Sequence, residues 1–539
     1  MRSSCRSEFT VSTQRHRGTE NSFLKYLSLC LCDSVLRSKS LVAVLCIAAA
    51  ASGVVRAAVP DLRLIQAVRE KNLESVRTLL KQRVDVNAPQ GDGSTALHWA
   101  ARVDDLTIAD ALIRAGARAN VANSNGVAPL HLACMNRSAA MVDRLLGASA
   151  DANAAMLNGE TVLMTCARTG NARTVTSLLV HGAKPNAKEA AHEQTALMWA
   201  AAERHPDVVR LLVEAGADLR ARSKIYPTNV VGEDTQRAGR EELNYTVLAG
   251  GMTPLLFAAR SGDADSARLL IDAGADPNDR LADGTSALVL AAFSGRGAAA
   301  GVLLDKGANP NDMGTGFTAL HAAVLRSDVN LVKVLLAHGA DPNVRMTRGT
   351  PKRRDGEDFN LPATLVGATP YLLAAKFLEA DIIRALNAGG ADINASMPNG
   401  AMPLMLAAGT GSTPSANRRG IRLVAFGKIE PESQALETVA AVVSLGADVN
   451  AANQTGDTAL HGAAAMGYDT VVQFLAEHGA QINAKNKRGL TPLAALVGGG
   501  RGGRGRGTAA SNADANGGDS YDEPSHASTA VLLRKLGGM

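Results

Sequence analysis

The feature that most constrains this chain is a short segment that recurs at a nearly fixed interval. Thr95 to Ala100 reads TALHWA, and close variants return down the sequence, most of them 32 to 34 residues apart. Such a chain builds a solenoid of stacked units, because one unit cannot bury its apolar face alone. Aligned on one apolar position, the copies are centred on Leu64, Leu97, Leu130, Leu163, Leu197, Leu255, Leu288, Leu320, Tyr371, Leu404, Leu460 and Leu493.

Within each unit the residue pattern predicts two helices joined by tight turns. A Thr or Ser such as Thr95 can cap the first helix, and Val208 to Leu212 carries apolar residues at helical spacing. A Gly such as Gly116 ends the second helix in a left-handed conformation, and an Asn opens the next turn. Arg83 and Ser149 replace that Gly in two units, so the sequence does not determine the turn conformation at these two positions.

These units resemble the ankyrin repeat, in which a β-turn finger precedes two antiparallel helices. The resemblance covers about residues 60–536 and gives about twelve copies. It implies an all-α repeat solenoid that binds a protein partner on a concave surface built from fingers and first helices. It implies no catalytic residue and no cofactor.

Four segments interrupt the repeat interval. Extra residues lie near 221–249 and 345–366, where they lengthen fingers, and near 410–434, where they separate the two helices of a pair. A glycine-rich loop at 498–524 splits the last unit. Insertions in repeat proteins go to loops, often on the binding face, so specificity is expected in the two finger insertions.

Aromatic and arginine side chains in the two finger insertions are the candidate partner contacts. The insertions lie three repeats apart, about 30 Å at the usual helix spacing, so one elongated partner could touch both. Aromatic rings bury area and guanidinium groups donate forked hydrogen bonds. The alternative is a pair of drifted loops without a binding role. The candidates are Tyr226, Arg237, Tyr245, Arg353, Arg354 and Phe359.

The N-terminal segment 37–57 has the pattern of a signal peptide. An apolar run from Leu41 to Val55 follows two basic residues, and it is short for a membrane span, which needs about 20 residues. Val55 and Ala57 suit cleavage before Ala58. We therefore expect an exported protein, periplasmic or extracellular, with 1–36 disordered or preceding the true start. Without cleavage the segment would anchor the chain to a membrane.

The net charge of +5 does not indicate a nucleic-acid partner. Residues 1–57 hold eight basic and three acidic residues, which leaves 48 of each in 58–539. The Arg501 to Gly507 run resembles an RNA-binding segment but lacks interleaved aromatic residues and precedes four acidic ones. No phosphate-binding, GxSxG or HExxH motif is present, so an enzyme is not expected.

Cysteines and histidines are interpreted as structural. Cys134 and Cys166 lie on neighbouring first helices, whose axes stack about 8–10 Å apart, so we expect buried thiols rather than a disulfide. The absence of disulfides from an exported chain favours a bacterial envelope. Histidines of the TALH segments recur once per unit, too far apart to share a metal. Each ring should instead bond the capping Thr and the neighbouring finger.

The sequence therefore predicts a monomeric scaffold that binds a protein of unknown identity. Two other functions remain open: a membrane-tethered structural scaffold, if the N-terminal segment is uncleaved, and a regulatory subunit or inhibitor of an envelope enzyme.

Overall fold

The structure, a computed structural model, describes residues 61–232, 243–350, 361, 363–412, 432–498 and 527–539. Within these ranges no helix is long and apolar enough to cross a membrane. The signal-peptide segment, the inter-helix insertion between 413 and 431 and most of the glycine-rich loop lie outside them.

Twenty-four α-helices in the described ranges form twelve consecutive pairs, so odd-numbered helices are the first and even-numbered helices the second of each pair. The first six pairs are α1 Arg63–Arg69 and α2 Leu73–Lys81, α3 Ala96–Val103 and α4 Leu106–Arg114, α5 Pro129–Met135 and α6 Ala139–Gly147, α7 Val162–Thr169 and α8 Ala172–Val180, α9 Ala196–Ala202 and α10 Pro206–Glu214, α11 Pro254–Ser261 and α12 Ala264–Asp272. The last six are α13 Ala287–Phe293 and α14 Gly297–Asp305, α15 Ala319–Leu325 and α16 Val329–Ala337, α17 Pro370–Phe377 and α18 Ala380–Ala388, α19 Pro403–Ala407 and α20 Glu432–Ser444, α21 Ala459–Met466 and α22 Asp469–Glu477, α23 Pro492–Gly498 and α24 Ala527–Lys535.

The helices begin where the sequence places capping residues. Thr195 and Thr253 accept hydrogen bonds from backbone N–H groups in the first turns of α9 and α11, and Asp105 does the same for α4. Each cap satisfies a donor that has no partner within the helix. Short helices of seven to nine residues are therefore defined at their starts, although most of their stability comes from packing.

The core is one continuous layer between the first and second helices. Each first helix packs against its own second helix and against the first helices before and after it. The reference leucines lie in this layer, as Leu97 and Leu288 illustrate with at most 1 % of their surface exposed. Alanines in the same helices let neighbouring helices approach closely, so the apolar cluster runs from Leu64 to Leu533.

Asparagine side chains connect successive repeats along the finger side. Asn87 Nδ2 donates to the carbonyl of Gly116 at 3.1 Å, and its Oδ1 accepts from the backbone N–H of Arg118 at 2.8 Å. Asn343 makes the same pair of bonds with Gly390 and Asp392, although an insertion lies between them. The insertion therefore leaves the stacking of the array intact.

The structure corrects the prediction of free thiols. Cys134 and Cys166 form a disulfide between α5 and α7, with their Cα atoms 4.8 Å apart. The prediction compared the largest Cα–Cα distance that a disulfide can span with a distance between helix axes, which are different quantities. Each Cα lies about 2.3 Å off its axis, so facing Cα atoms on helices 8–10 Å apart come within about 3–5 Å. The inference of a bacterial envelope rested on the absence of disulfides, so this disulfide removes its basis.

The two turns without glycine keep the left-handed conformation. Arg83 has a φ of 58° and Ser149 a φ of 64°, where Gly116 has 88° in the equivalent turn. The repeat geometry therefore overrides the local preference of these two residues.

The first finger insertion forms an antiparallel hairpin. Strand β1 runs from Ile225 to Gly232 and strand β2 from Leu243 to Gly250, with Ile225 opposite Gly250 and Gly232 opposite Leu243. Four β-branched residues in β1 and two in β2 suit the extended conformation. The hairpin leaves the array between α10 and α11, and α11 still packs against α9.

Candidate functional site

The base of the hairpin is fixed to the fingers on both sides. Arg222 Nη1 donates to the carbonyls of Gly251 at 2.8 Å and Arg280 at 2.9 Å, and its guanidinium forms an ion pair with Asp279. One side chain thus joins both ends of the insertion and the finger of the next repeat. The Ser223 N–H donates to the Met252 carbonyl at 3.0 Å, which closes the hairpin base.

The second finger insertion has the same arrangement at its base. Arg345 Nη1 donates to the carbonyls of Gly367 at 2.8 Å and Ser396 at 2.7 Å. The Met346 N–H donates to the Ala368 carbonyl at 2.8 Å. Arg222 and Arg345 both stand six residues after a capping Gly, so both insertions start at one position of the repeat.

The hairpin carries exposed apolar side chains on both faces. Side chains alternate along a strand, which places Ile225 and Leu248 on one face and Tyr226 on the other. Their exposed fractions are 49 %, 52 % and 44 %. A two-stranded ribbon has little stability of its own, so the fixed base matters for presenting these side chains in one place.

Of the six candidate contact residues, the structure describes Tyr226 fully and Tyr245 in its backbone. Tyr226 is opposite Ala249, and Tyr245 is opposite Val230 in the hairpin ladder. The other four, Arg237, Arg353, Arg354 and Phe359, lie outside the described residues. Their role in binding stays a prediction.

The TALH histidines make the bonds that the sequence predicted. His98 Nδ1 accepts from the Thr95 backbone N–H at 3.0 Å, and Nε2 lies 3.0 Å from the carbonyl of Val127 in the next finger. His321 is fully buried, and desolvation lowers its pKa to about 4. The His321 ring is therefore a neutral structural link. Among the described residues, no three His, Cys, Asp or Glu side chains are grouped as metal ligands.

Arginines lie over the aromatic residues that follow the reference leucine by two positions. The Arg168 guanidinium is 4.8 Å from the Trp199 ring, and that of Arg260 is 5.1 Å from the Phe257 ring. Phe257 is packed in the core and is 4 % exposed. Trp99 and Trp199 are half-buried instead: each packs against the core and has at least one arginine guanidinium over its ring.

Two features of this surface were missed at the sequence level. The bridging role of the Asn residues was taken for a turn preference alone, and the arginines at the insertion bases were not distinguished from other charged loop residues. A signal existed for the second: Arg222 and Arg345 share one repeat position, at the start of each finger insertion.

Comparison with known proteins agrees with this architecture. A family model described as ankyrin repeats in three copies matches residues 64–156, 136–223, 255–346 and 432–500, and a second, described as ankyrin repeats in many copies, matches 197–271. The first match stops before the hairpin and resumes after it.

Among solved structures, the ankyrin repeat domain of human ASB11 is 27 % identical, with a TM-score of 0.37, over 46 % of this chain and 98 % of that one. The family models together match more than half of the chain. The chain therefore belongs to the ankyrin-repeat family.

Proposed function

We propose that this chain is an exported scaffold that captures one protein partner through its fingers, first helices and finger insertions. Ankyrin repeats are in general protein-interaction modules. The observation that carries the finer proposal is the hairpin, which presents Ile225, Tyr226 and Leu248 from a base fixed by Arg222. Exposed apolar side chains on a rigid support suit the centre of a protein interface.

The second insertion supports the same assignment. It leaves the array at the same repeat position, three repeats further on, and Arg345 holds its ends in the same way. Two arms from one edge of a solenoid suit an elongated partner. Arg280 occupies the same repeat position in a finger of ordinary length and pairs with Asp312, so this arginine keeps each insertion in register with the next finger, and the binding role rests on the exposed apolar side chains of the hairpin.

Export is supported by the signal-like segment and by the Cys134–Cys166 disulfide. Disulfides persist in oxidising compartments and are rare where glutathione keeps thiols reduced. Cleavage before Ala58 would release the scaffold in the periplasm or outside the cell. N-terminal sequencing of the mature protein tests this part, since recovery of cytosolic chain with Met1 intact contradicts it.

Shortening the hairpin tests the binding assignment. Residues 225–250 are replaced by the ordinary finger turn of a neighbouring repeat, and the partner captured from an envelope fraction is identified and its affinity measured. Long loops add little closure entropy, so the melting temperature should move by only a few degrees. Partner affinity should fall at least about tenfold, or about 1.4 kcal/mol.

The matched control removes a similar length from the glycine-rich segment between 501 and 524, and it should leave both quantities unchanged. If the shortened hairpin variant instead unfolds early and still captures the partner with full affinity, the insertion is a packing element and the proposal is wrong.

A further inference from the structure

Two arginines hold one tryptophan between them on the first helices of the first two repeats. The guanidinium carbon of Arg69, at the end of α1, is 4.8 Å from the centroid of the Trp99 ring, and that of Arg102 is 5.3 Å away. The indole N–H donates to Gln90 Oε1 at 3.1 Å, so the preceding finger fixes the ring. We call Arg69, Trp99 and Arg102 the arginine–tryptophan cluster.

The cluster faces away from the second helices. Ala96, Leu97, Ala100 and Ala101 of α3 are buried in the helix layers. Trp99 and Arg102, three residues apart, occupy the opposite side of the same helix, where Trp99 is half-buried and Arg102 exposed. Arg69 is exposed as well. A molecule lying along the first helices would meet both guanidinium groups.

The two positive charges of the cluster are uncompensated. Within the part of the chain that the structure describes, neither Arg69 nor Arg102 lies within the 4 Å of an ion pair with a carboxylate. The acidic neighbour of Arg69 in sequence, Glu70, accepts a hydrogen bond from Gln66 instead.

The second arginine–tryptophan contact differs in this respect. Arg168, over Trp199, is paired with Glu160 at 3.2 Å, and that carboxylate also accepts from Thr165. At Trp199 the residue equivalent to Gln90 is Glu189, whose carboxylate accepts from three backbone N–H groups of its own finger turn, and the indole N–H has no acceptor among the described residues. Only the first contact therefore combines a fixed ring with unpaired guanidinium groups.

We propose that the arginine–tryptophan cluster binds carboxylate groups of an acidic segment on the protein partner. This inference rests on the proposed function and adds the chemistry of one contact. Guanidinium groups held over an indole keep their planar forks and have lost part of their rotational freedom, so they match carboxylates in a bidentate geometry. The two groups lie at most about 10 Å apart through the ring, within reach of one acidic segment.

An acidic protein segment fits better than nucleic acid. Nucleic-acid surfaces need a broad stripe of basic residues. Residues 58–539 hold equal numbers of basic and acidic residues, and the next arginine along the same face, Arg168, is already neutralised by Glu160. A local pair of positive charges in a neutral array matches a local negative patch.

The chain offers a direct optical test because Trp99 and Trp199 are its only tryptophans. In a full-length Trp199→Phe background, fluorescence reports on Trp99 alone. A short unstructured peptide rich in glutamate is titrated, with the same peptide carrying glutamine as a probe control. We expect saturable binding of the glutamate peptide that weakens as salt screens the charges, and no binding of the glutamine peptide.

Replacing Arg69 and Arg102 together by Gln should weaken peptide binding at least about tenfold. Arg114→Gln is the matched control, because Arg114 is exposed on the second helix of the same repeat and should have no effect. The melting temperature of each variant is measured, and a change of only a few degrees shows that the fold is kept.

Any one of the following results would overturn the proposal: unchanged affinity in the double variant, an equal loss in Arg114→Gln, or binding of the glutamate peptide weaker than about 1 mM in the parent protein. Equal or tighter binding of a single-stranded oligonucleotide would overturn it in favour of a nucleic-acid site. The hairpin experiment is independent of this cluster. If the peptide fails while hairpin shortening still abolishes partner capture, the cluster assignment is wrong and the proposed function stands.

Discussion

Acid should destabilise the array through His321, and His321→Gln should remove that sensitivity. The ring is fully buried at the start of α15. Its Nδ1 accepts from the Thr318 backbone N–H at 3.2 Å, and Nε2 lies 3.3 Å from the Ala368 carbonyl. The neutral ring with its hydrogen on Nε2 satisfies both contacts, whereas a second hydrogen on Nδ1 would face another donor.

The magnitude follows from the difference between the two pKa values. Desolvation lowers the folded-state pKa to about 4, against 6.5 for an exposed histidine. The unfolded chain therefore binds more protons between these values, and stability falls as pH falls from 6.5 towards 4. At 1.36 kcal/mol per pKa unit the loss is about 3 kcal/mol, and above pH 6.5 this group contributes no pH dependence.

Gln is the appropriate replacement because it does not titrate and is a natural partner for a capping Thr at this position of a capping box. The assay is urea unfolding of the wild type and the variant from pH 7.5 to 4, followed by circular dichroism. Carboxylates titrate in both proteins, so their contribution cancels in the difference. The advantage of the wild type over the variant should shrink by about 3 kcal/mol across this range. A difference that stays constant with pH would refute the reasoning.

Three further predictions concern stability. Leu288→Ala should cost about 2–5 kcal/mol in urea unfolding, because its fully packed side chain leaves a cavity between repeats. Replacing Cys134 and Cys166 together by Ala should cost about 4 kcal/mol, from the unfolded-state entropy of a loop closed over 32 residues, and reductant should destabilise the wild type but not this variant. Ser149→Gly should raise the unfolding free energy by about 1 kcal/mol by relieving a left-handed serine, whereas Gly182→Ser should lower it by a similar amount.

The sequence predicted the repeat architecture and its capping bonds because these depend on local pattern. A leucine about every 33 residues predicts a core position in each unit. A Thr three residues before a His predicts the same capping bond wherever it occurs. The Thr95–His98 and Thr318–His321 contacts follow from that periodicity. A periodic feature is seen in many copies, so one repeat that departs from the pattern does not change the predicted fold.

Features that occur once were harder to predict. The Cys134–Cys166 disulfide depends on the separation of two Cα atoms, and the helix spacing alone was an inadequate substitute for it. The hairpin conformation of the first insertion depends on strand pairing between residues about 20 apart, which turn and composition signals do not specify. The arginine–tryptophan cluster joins Arg69 and Trp99 from different repeats, so only the stacked array brings them together.

The central claim is that the partner lies along the fingers, first helices and hairpin. Photo-crosslinking tests it most directly, with a photoreactive residue placed singly at Tyr226 of the hairpin, at Met135 on a first helix or at Arg268 on a second helix. All three positions are exposed. The account predicts a crosslink to the same partner from Tyr226 and Met135 and none from Arg268. A crosslink from Arg268 alone, or equal crosslinking from all three, would contradict it.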